Sequence, residues 1–260
     1  MTVFAHEWRR GRLSLLIWSG AIAFLMAVCV VIWPMMAEQM AAMGDMFAQM
    51  GAMSEMFGLD QMGFSRFIDY IALECGEMLG LGGTLYAAIT AIGALSGEER
   101  EHTAEWLLTH PVTRTRVLTE KLLSVAARIV ALNTVVWAVT ALCTVAIGES
   151  VSNEMWLLFV SNLLLHLEIA AVCFCLSAFL RRGGMGVALG FSLLIYFVNL
   201  IANLTDGMAF LKWVSPFSYA DGSHILASGS LDIGYLCVGA AVTAVSLLAA
   251  YRRYKTKDIL

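Results

Sequence analysis

Six long apolar runs, separated by short polar intervals, set the hydrophobic pattern of the chain. The runs lie near residues 13–33, 70–96, 121–147, 155–180, 185–204 and 232–251. Each run is long enough, at about 20 residues, to cross roughly 30 Å of hydrocarbon as an α-helix. The pattern therefore predicts an all-α polytopic membrane protein, with six transmembrane helices in a single transmembrane domain over residues 1–260.

The composition agrees with this class, because 60% of the 260 residues are hydrophobic and only 14% are charged. Mean hydropathy is +0.77, and no soluble domain of useful size fits between the apolar runs. The first run lacks a small-residue cleavage site and is followed by five more. We therefore expect it to be retained as a span and not removed as a signal peptide.

The basic residues predict the orientation of the spans, since lysine and arginine are translocated poorly. With six spans, most of them fall on one side of the membrane: Arg9, Arg10, Arg12, Arg100, Arg114, Arg116, Lys121, Arg181, Arg182, Arg252, Arg253, Lys255 and Lys257. Both termini are therefore expected to be cytoplasmic. The net charge of −4 gives no case for nucleic-acid binding.

The first twelve residues carry two aromatic side chains, Phe4 and Trp8, one helical turn apart among charged residues. This pattern favours an N-terminal interfacial helix that lies on the cytoplasmic leaflet, with its arginines attracted to anionic lipid. A disordered basic tail is the alternative.

Segment 34–69, predicted to be extracytoplasmic, is rich in methionine. Met36, Met40 and Met43 would lie on one apolar stripe of a helix, and we interpret them as packing residues because methionine fills irregular interfaces. Thioethers also favour monovalent copper or silver, so a protein that binds or moves a soft metal ion is the alternative. The segment contains neither histidine nor cysteine, and the six cysteines all lie in spans without a zinc pattern, so we assign no metal site.

Polar residues within the spans are the candidate contacts for a substrate or an ion: Glu74, Glu77, Glu168 and Asn199. A carboxylate inside the membrane is costly unless it faces protein or water. Glu74 and Glu77, three residues apart, are expected on one face of the second helix, and Glu168 near the middle of the fourth. Pairing between the two carboxylates, or with a polar group on a neighbouring span, is the purely structural alternative.

The interval 97–120 is the one long, strongly charged stretch between two deeply apolar runs. An apolar cluster, Trp106 to Leu108, stands one turn before Pro111, and proline ends a helix at the residue before it. Thr113 is then predicted to cap a new helix that begins near Arg114. The sequence thus predicts a short amphipathic helix, a sharp turn and a second helix at one membrane face.

These residues carry a family resemblance. Thr103, Glu105, Leu107, Leu108, Pro111, Thr113, Arg114 and Lys121 match a pattern, G-T-x-E-x-L-L-x-x-P-x-[ST]-R-x6-K, that is similar to the signature of permease subunits of type-2 ABC exporters. The chain departs from this pattern at His102 and Glu120, where that family often has glycine. The segment Ser215 to Tyr219 resembles the S-P-F-x-Y stretch that such permeases often carry before the last span.

The resemblance implies that 97–120 is a cytoplasmic coupling helix seated in a cleft of a separate ABC ATPase subunit. The ATPase-coupling residues would be Glu99, Glu101, Thr103, Glu105, Trp106, Leu107, Leu108, Pro111 and Arg114. It also implies that six spans form half of a translocation pathway, completed by a second permease copy or a sister permease in the plasma membrane of a prokaryote. ATP and Mg are expected in the partner, and no cofactor in this chain, since the sequence has no G-x-x-x-x-G-K-[ST] phosphate loop.

An intramembrane hydrolase is the enzymatic alternative. Glu98 and Glu99 are similar to the start of an E-E-x-x-x-R motif of membrane-embedded prenyl-endopeptidase relatives, but Thr103 stands where that motif has arginine. The sequence contains no H-E-x-x-H and no G-x-S-x-G motif. We therefore expect a transport subunit without a catalytic site.

Overall fold

The computed structural model describes residues 2–48, 66–101, 113–180, 184–204 and 206–256. Within these ranges the regular structure is helical: α1 (Thr2–Ala48), α2 (Phe67–Glu74), a π-helical segment (Cys75–Leu81), α3 (Gly82–Glu101), α4 (Arg114–Ala146), α5 (Asn153–Phe179), α6 (Met185–Leu204), two 3₁₀ helices (Asp206–Trp213 and Pro216–Tyr219), α7 (Gly222–Ser228) and α8 (Ile233–Thr256). The described part of the chain contains six spans long and apolar enough to cross a membrane, which confirms the predicted number. The second span runs through α2, the π-helical segment and α3 as far as Leu95.

Local signals set where several helices begin and end. Thr113 caps α4 as predicted, because its hydroxyl accepts a hydrogen bond from the Arg116 amide. Ser152 caps α5 in the same way through the amide of Met155. Helix α7 ends at Gly229, whose φ of 63° lies in the left-handed region that glycine adopts without strain.

Helix α1 differs from the predicted arrangement of an interfacial helix followed by a span over 13–33. It is one continuous helix from Thr2 to Ala48 and passes through Pro34 without ending. Its first turns pack on α4, since the backbone amides of Val3 and Phe4 donate to the Glu120 carboxylate at 3.0 and 3.1 Å. The N-terminal residues are thus held against the bundle, with the Phe4 ring stacked on Trp8.

Helix α5 forms the centre of the bundle. In its apolar stretch 67% of the residues are buried, against 22% in α6 and 11% in α8. A core of small and branched side chains joins α3, α4, α5 and α8, and includes Ala91, Ile129, Phe174 and Ala250. The outward faces of α1, α6 and α8 carry exposed large apolar side chains, as helices in contact with lipid do.

The π-helical segment interrupts the second span between α2 and α3. Such segments insert an extra residue into a helix and recur at functional sites. Gly80 and Gly83 let this span approach α5 closely, because a Cβ at Gly83 would collide with the His166 ring and one at Gly80 would lie 3.1 Å from the Asn162 side-chain oxygen. The segment therefore brings the backbone of the second span against buried polar groups of α5.

Both described ends of the chain lie beside the start of α4. Glu120 binds the first turn of α1, and the Arg114 side chain donates to the carbonyl of Lys255 near the end of α8 at 3.5 Å. An even number of spans places both ends of a chain on the same side of the membrane, so these contacts agree with six spans. That this end of the bundle is cytoplasmic stays a prediction.

Candidate functional site

The predicted ATPase-coupling segment falls largely outside the described residues. Thr103, Glu105, Trp106, Leu107, Leu108 and Pro111 belong to that part of the chain, while Glu99 and Glu101 lie in the last turns of α3. Arg114 is the first residue of α4. The structure therefore describes the two helices that hold this segment, α3 and α4, and the contacts that fix their ends.

A buried lysine joins the helices at this end of the bundle. Lys121 is 0% exposed, and its ammonium donates to the Glu7 carboxylate at 2.9 Å and to the carbonyl of Ala94 at 2.6 Å. We call Lys121, Glu7, Glu120 and the Ala94 carbonyl the Lys121 site. It ties together the starts of α1 and α4 and the last part of α3, so it sets the spacing of the two helices from which the coupling segment extends.

Glu120 completes the Lys121 site from the neighbouring position on α4. One carboxylate oxygen accepts the amides of Val3 and Phe4, and the other accepts from the Arg116 guanidinium at 3.1 Å. A carboxylate at a helix N-terminus satisfies amides that have no partner within the helix and favours the helix dipole. Our sequence prediction of site residues missed Glu7, Glu120 and Lys121; a lysine at the start of a span was the available signal.

Glu74 and Glu77 contact different helices. The sequence placed them on one face, but α2 ends at Glu74 and the π-helical segment changes the turn that follows. Glu74 accepts a hydrogen bond from the Cys29 thiol on α1 at 3.5 Å, whereas Glu77 accepts from the Tyr196 hydroxyl on α6 at 2.8 Å. Each carboxylate thus has a polar partner on a neighbouring span.

Glu77 and Asn199, two predicted site residues, line one small cavity. Its volume is about 70 Å³, and it lies between α2, α6 and the segment that leads into α7. Asn203 and Asp221 also border it. This cavity brings residues from distant parts of the sequence together near the C-terminal end of α6.

Glu168 lies at a larger cavity between α5, α6 and α8. It is 7% exposed, and its Oε2 accepts a hydrogen bond from the Tyr219 hydroxyl at 2.8 Å. Burial and the adjacent carboxylate raise the pKa of Tyr219, so this phenol stays a donor. Phe217 and Tyr219 are buried, while Trp213 is exposed.

A buried histidine links three spans near the π-helical segment. His166 Nδ1 lies 3.1 Å from the side-chain nitrogen and 3.2 Å from the side-chain oxygen of Asn133, and Nε2 lies 3.3 Å from the Gly80 carbonyl. Asn162, one turn before His166 on α5, donates to the Leu158 carbonyl. The network connects α4 and α5 with the interrupted second span.

Within the described ranges, no three histidine, cysteine, aspartate or glutamate side chains lie close enough together to hold a metal ion. The nearest soft donors are the Cys29 thiol and the Met78 thioether, 3.9 Å apart. Residues 49–65 of the predicted methionine-rich segment 34–69 lie outside the described residues. Soft-metal binding by that segment stays an untested alternative.

Six apolar helices with buried polar side chains between them define a polytopic membrane protein. The chain belongs to the family described as ABC-2 family transporter protein, whose family model matches residues 1–259. A search of curated proteins finds no match. Family membership confirms the suspected type-2 ABC permease, and makes the chain a membrane component of an ABC transporter.

Proposed function

We propose that this chain is the membrane-spanning permease subunit of an ABC exporter, and that a separate ATPase subunit drives it. The family match over residues 1–259 is the observation that carries the proposal. Two copies, or this chain and a sister permease, would form the translocation pathway in the plasma membrane of a prokaryote. ATP and Mg would be bound by the ATPase.

In this proposal residues 97–120 transmit conformational changes of the ATPase to the transmembrane helices. Trp106, Leu107 and Leu108 would fill a groove of the ATPase, since aromatic and aliphatic anchors carry most of the energy of an interface. Glu99, Glu101, Glu105 and Arg114 would set the register at the rim, where charges act mainly on association rate. Thr103 and Pro111 would shape the turn.

The Lys121 site supports this proposal from the described residues. Movement of the coupling segment reaches the spans only if its flanking helices are held to the bundle. Lys121 joins α3 and α4, the two flanking helices, to α1 through two contacts shorter than 3 Å. A displacement at residues 97–120 would therefore be passed on to three spans together.

Three variants test the coupling role. Trp106→Ala and Leu108→Ala should each weaken recovery of the complex with the ATPase, with Trp106→Ala losing about 2 kcal/mol or more of association energy. Pro111→Ala should let the two helices merge, so that assembly survives while hydrolysis and transport become uncoupled. Glu105→Gln, a rim change, is the control and should act mainly through salt dependence. If all three variants bind and stimulate the ATPase normally, this segment is an ordinary loop.

A further inference from the structure

The cavity beside Glu168 has a composition that suits an amphipathic ligand. Its volume is about 330 Å³, and α5, α6, α8 and residues 212–219 form its walls. The polar groups that line it are Glu168, Lys212, Ser215, Tyr219 and Tyr235. The rest of the lining is apolar, and we call this space the Glu168 cavity.

At one end of the Glu168 cavity, hydrogen-bond acceptor positions are left unoccupied by the described residues. An ionised carboxylate offers about four acceptor positions, and the Tyr219 hydroxyl occupies one of those on Glu168. Ser215 also lines the cavity, is 3% exposed, and its hydroxyl has no hydrogen-bond partner among the described residues. Buried hydroxyls are nearly always paired, so this one is free to bond a molecule that enters the cavity.

Gly239 lets the Glu168 carboxylate lie directly against α8. A Cβ at this position would collide with Glu168 Oε2, and it would lie 3.2 Å from the Tyr219 ring. Gly239 also lines the cavity. Glycine at this point therefore makes room for the carboxylate itself, and a larger residue would displace it.

The apolar walls lead toward the surface of the bundle that faces lipid. Val242 is 39%, Trp213 53% and Val214 61% exposed, and all three also line the cavity. A space of this size lies at the lower end of the range for small-ligand sites, so it can hold a polar head but not a whole lipid. The tail of an amphiphile would leave the cavity between these exposed apolar side chains.

We propose that the Glu168 cavity binds the head of an amphiphile that carries a primary ammonium beside an anionic group. The ammonium donates to Glu168 and to Ser215, and Lys212 meets the anionic group. A cation beside a buried carboxylate offsets the cost of keeping that charge inside the membrane. The site is a property of this chain alone, so the inference holds or fails independently of the ATPase partner.

Lipid retention by the purified full chain tests this inference. The chain is placed in nanodiscs that contain equal amounts of phosphatidylethanolamine and phosphatidylcholine. Phosphatidylcholine is the comparison lipid, because its quaternary ammonium cannot donate a hydrogen bond. The lipids that stay bound after the protein is released from the nanodisc are counted by native mass spectrometry. We expect a preference for phosphatidylethanolamine of about tenfold, the ratio that one charge-assisted hydrogen bond gives. Lysophosphatidylethanolamine added to phosphatidylcholine nanodiscs tests whether a free single-chain amphiphile reaches the site as well.

Two variants and a control assign the preference to the cavity. Glu168→Gln keeps the shape and removes the charge, while Gly239→Ala pushes the carboxylate out of its position; both should abolish the preference. Glu149→Gln makes the same chemical change at an exposed carboxylate outside this cavity and should keep it. If lysophosphatidylethanolamine binds, the inference is supported and the site accepts free single-chain amphiphiles. If only the bilayer phosphatidylethanolamine binds, the inference is supported and the site is specific for membrane lipid. If neither is preferred, or if folded Glu168→Gln and Gly239→Ala keep the wild-type ratio, the inference is wrong.

Discussion

Replacing Lys121 with methionine removes a fully buried ammonium while keeping a side chain of similar length. In the variant the Glu7 carboxylate, 6% exposed, and the Ala94 carbonyl each lose a donor. Removing one partner of a buried ion pair destabilises a protein by about 3–5 kcal/mol, because the other charge stays buried without compensation. For a chain of this size that corresponds to a fall in Tm of roughly 6–20 °C.

The matched control is the exposed ion pair one turn away. Arg116 pairs with Glu120 at 3.1 Å, but its side chain is 60% exposed, so Arg116→Met should cost only about 0–1 kcal/mol. A double-mutant cycle separates the pair from the packing: Glu7→Leu combined with Lys121→Met replaces both charges and should recover most of the loss. Unfolding in mixed micelles, monitored by circular dichroism, gives all the free energies.

The result that would refute this reasoning is equal stability of Lys121→Met and Arg116→Met. It would mean that Lys121 reaches water in the membrane-inserted protein and that its two short contacts contribute little. A double variant no more stable than Lys121→Met alone would show, in turn, that Glu7 is not the partner that matters.

The remaining predictions concern glycine positions and topology. Gly83→Ala should lower Tm and disturb the His166 network, because the new Cβ meets the imidazole ring. Gly93→Ala is the control: a Cβ there has nothing within 4 Å, so the change should be neutral or stabilising by up to about 1 kcal/mol. Equal Tm values for the two variants would contradict the close approach of α3 to α5. A cysteine at Asn153, at the start of α5, should react with a membrane-impermeant thiol reagent from outside the cell, and one at Arg252, near the end of α8, only after the cytoplasmic face is opened. Labelling of Asn153→Cys only from the cytoplasm would reverse the predicted orientation.

The six spans were predictable because each depends on a local property, about 20 consecutive apolar residues. The cap at Thr113 was predictable for the same reason, since it needs only a hydroxyl before the first turn of α4. The continuity of α1 through Pro34 was not predictable from a local pattern. Its first turns are fixed by Glu120, more than 100 residues away in the sequence.

The hydrogen-bond partners of the buried polar residues could not be predicted from the local sequence pattern, for a physical reason. Residue spacing gives the face of a regular helix, but the π-helical segment changes that face between Glu74 and Glu77. The Lys121–Glu7 and Glu168–Tyr219 pairs depend on how the helices pack together. Sequence reasoning could select Glu168 as a costly buried charge, but not the phenol or the cavity beside it.

The central claim, that a separate ATPase drives this chain through residues 97–120, is tested most directly by site-specific cross-linking. A photoreactive amino acid placed at Leu107 is activated in native membranes, the chain is purified, and the attached protein is identified by mass spectrometry. The account predicts a cross-link to a protein with a G-x-x-x-x-G-K-[ST] phosphate loop, lost when the same group stands instead at Val245 on the exposed face of α8. Cross-links from Leu107 to lipid or to this chain alone, in membranes where the chain is fully assembled, would contradict it.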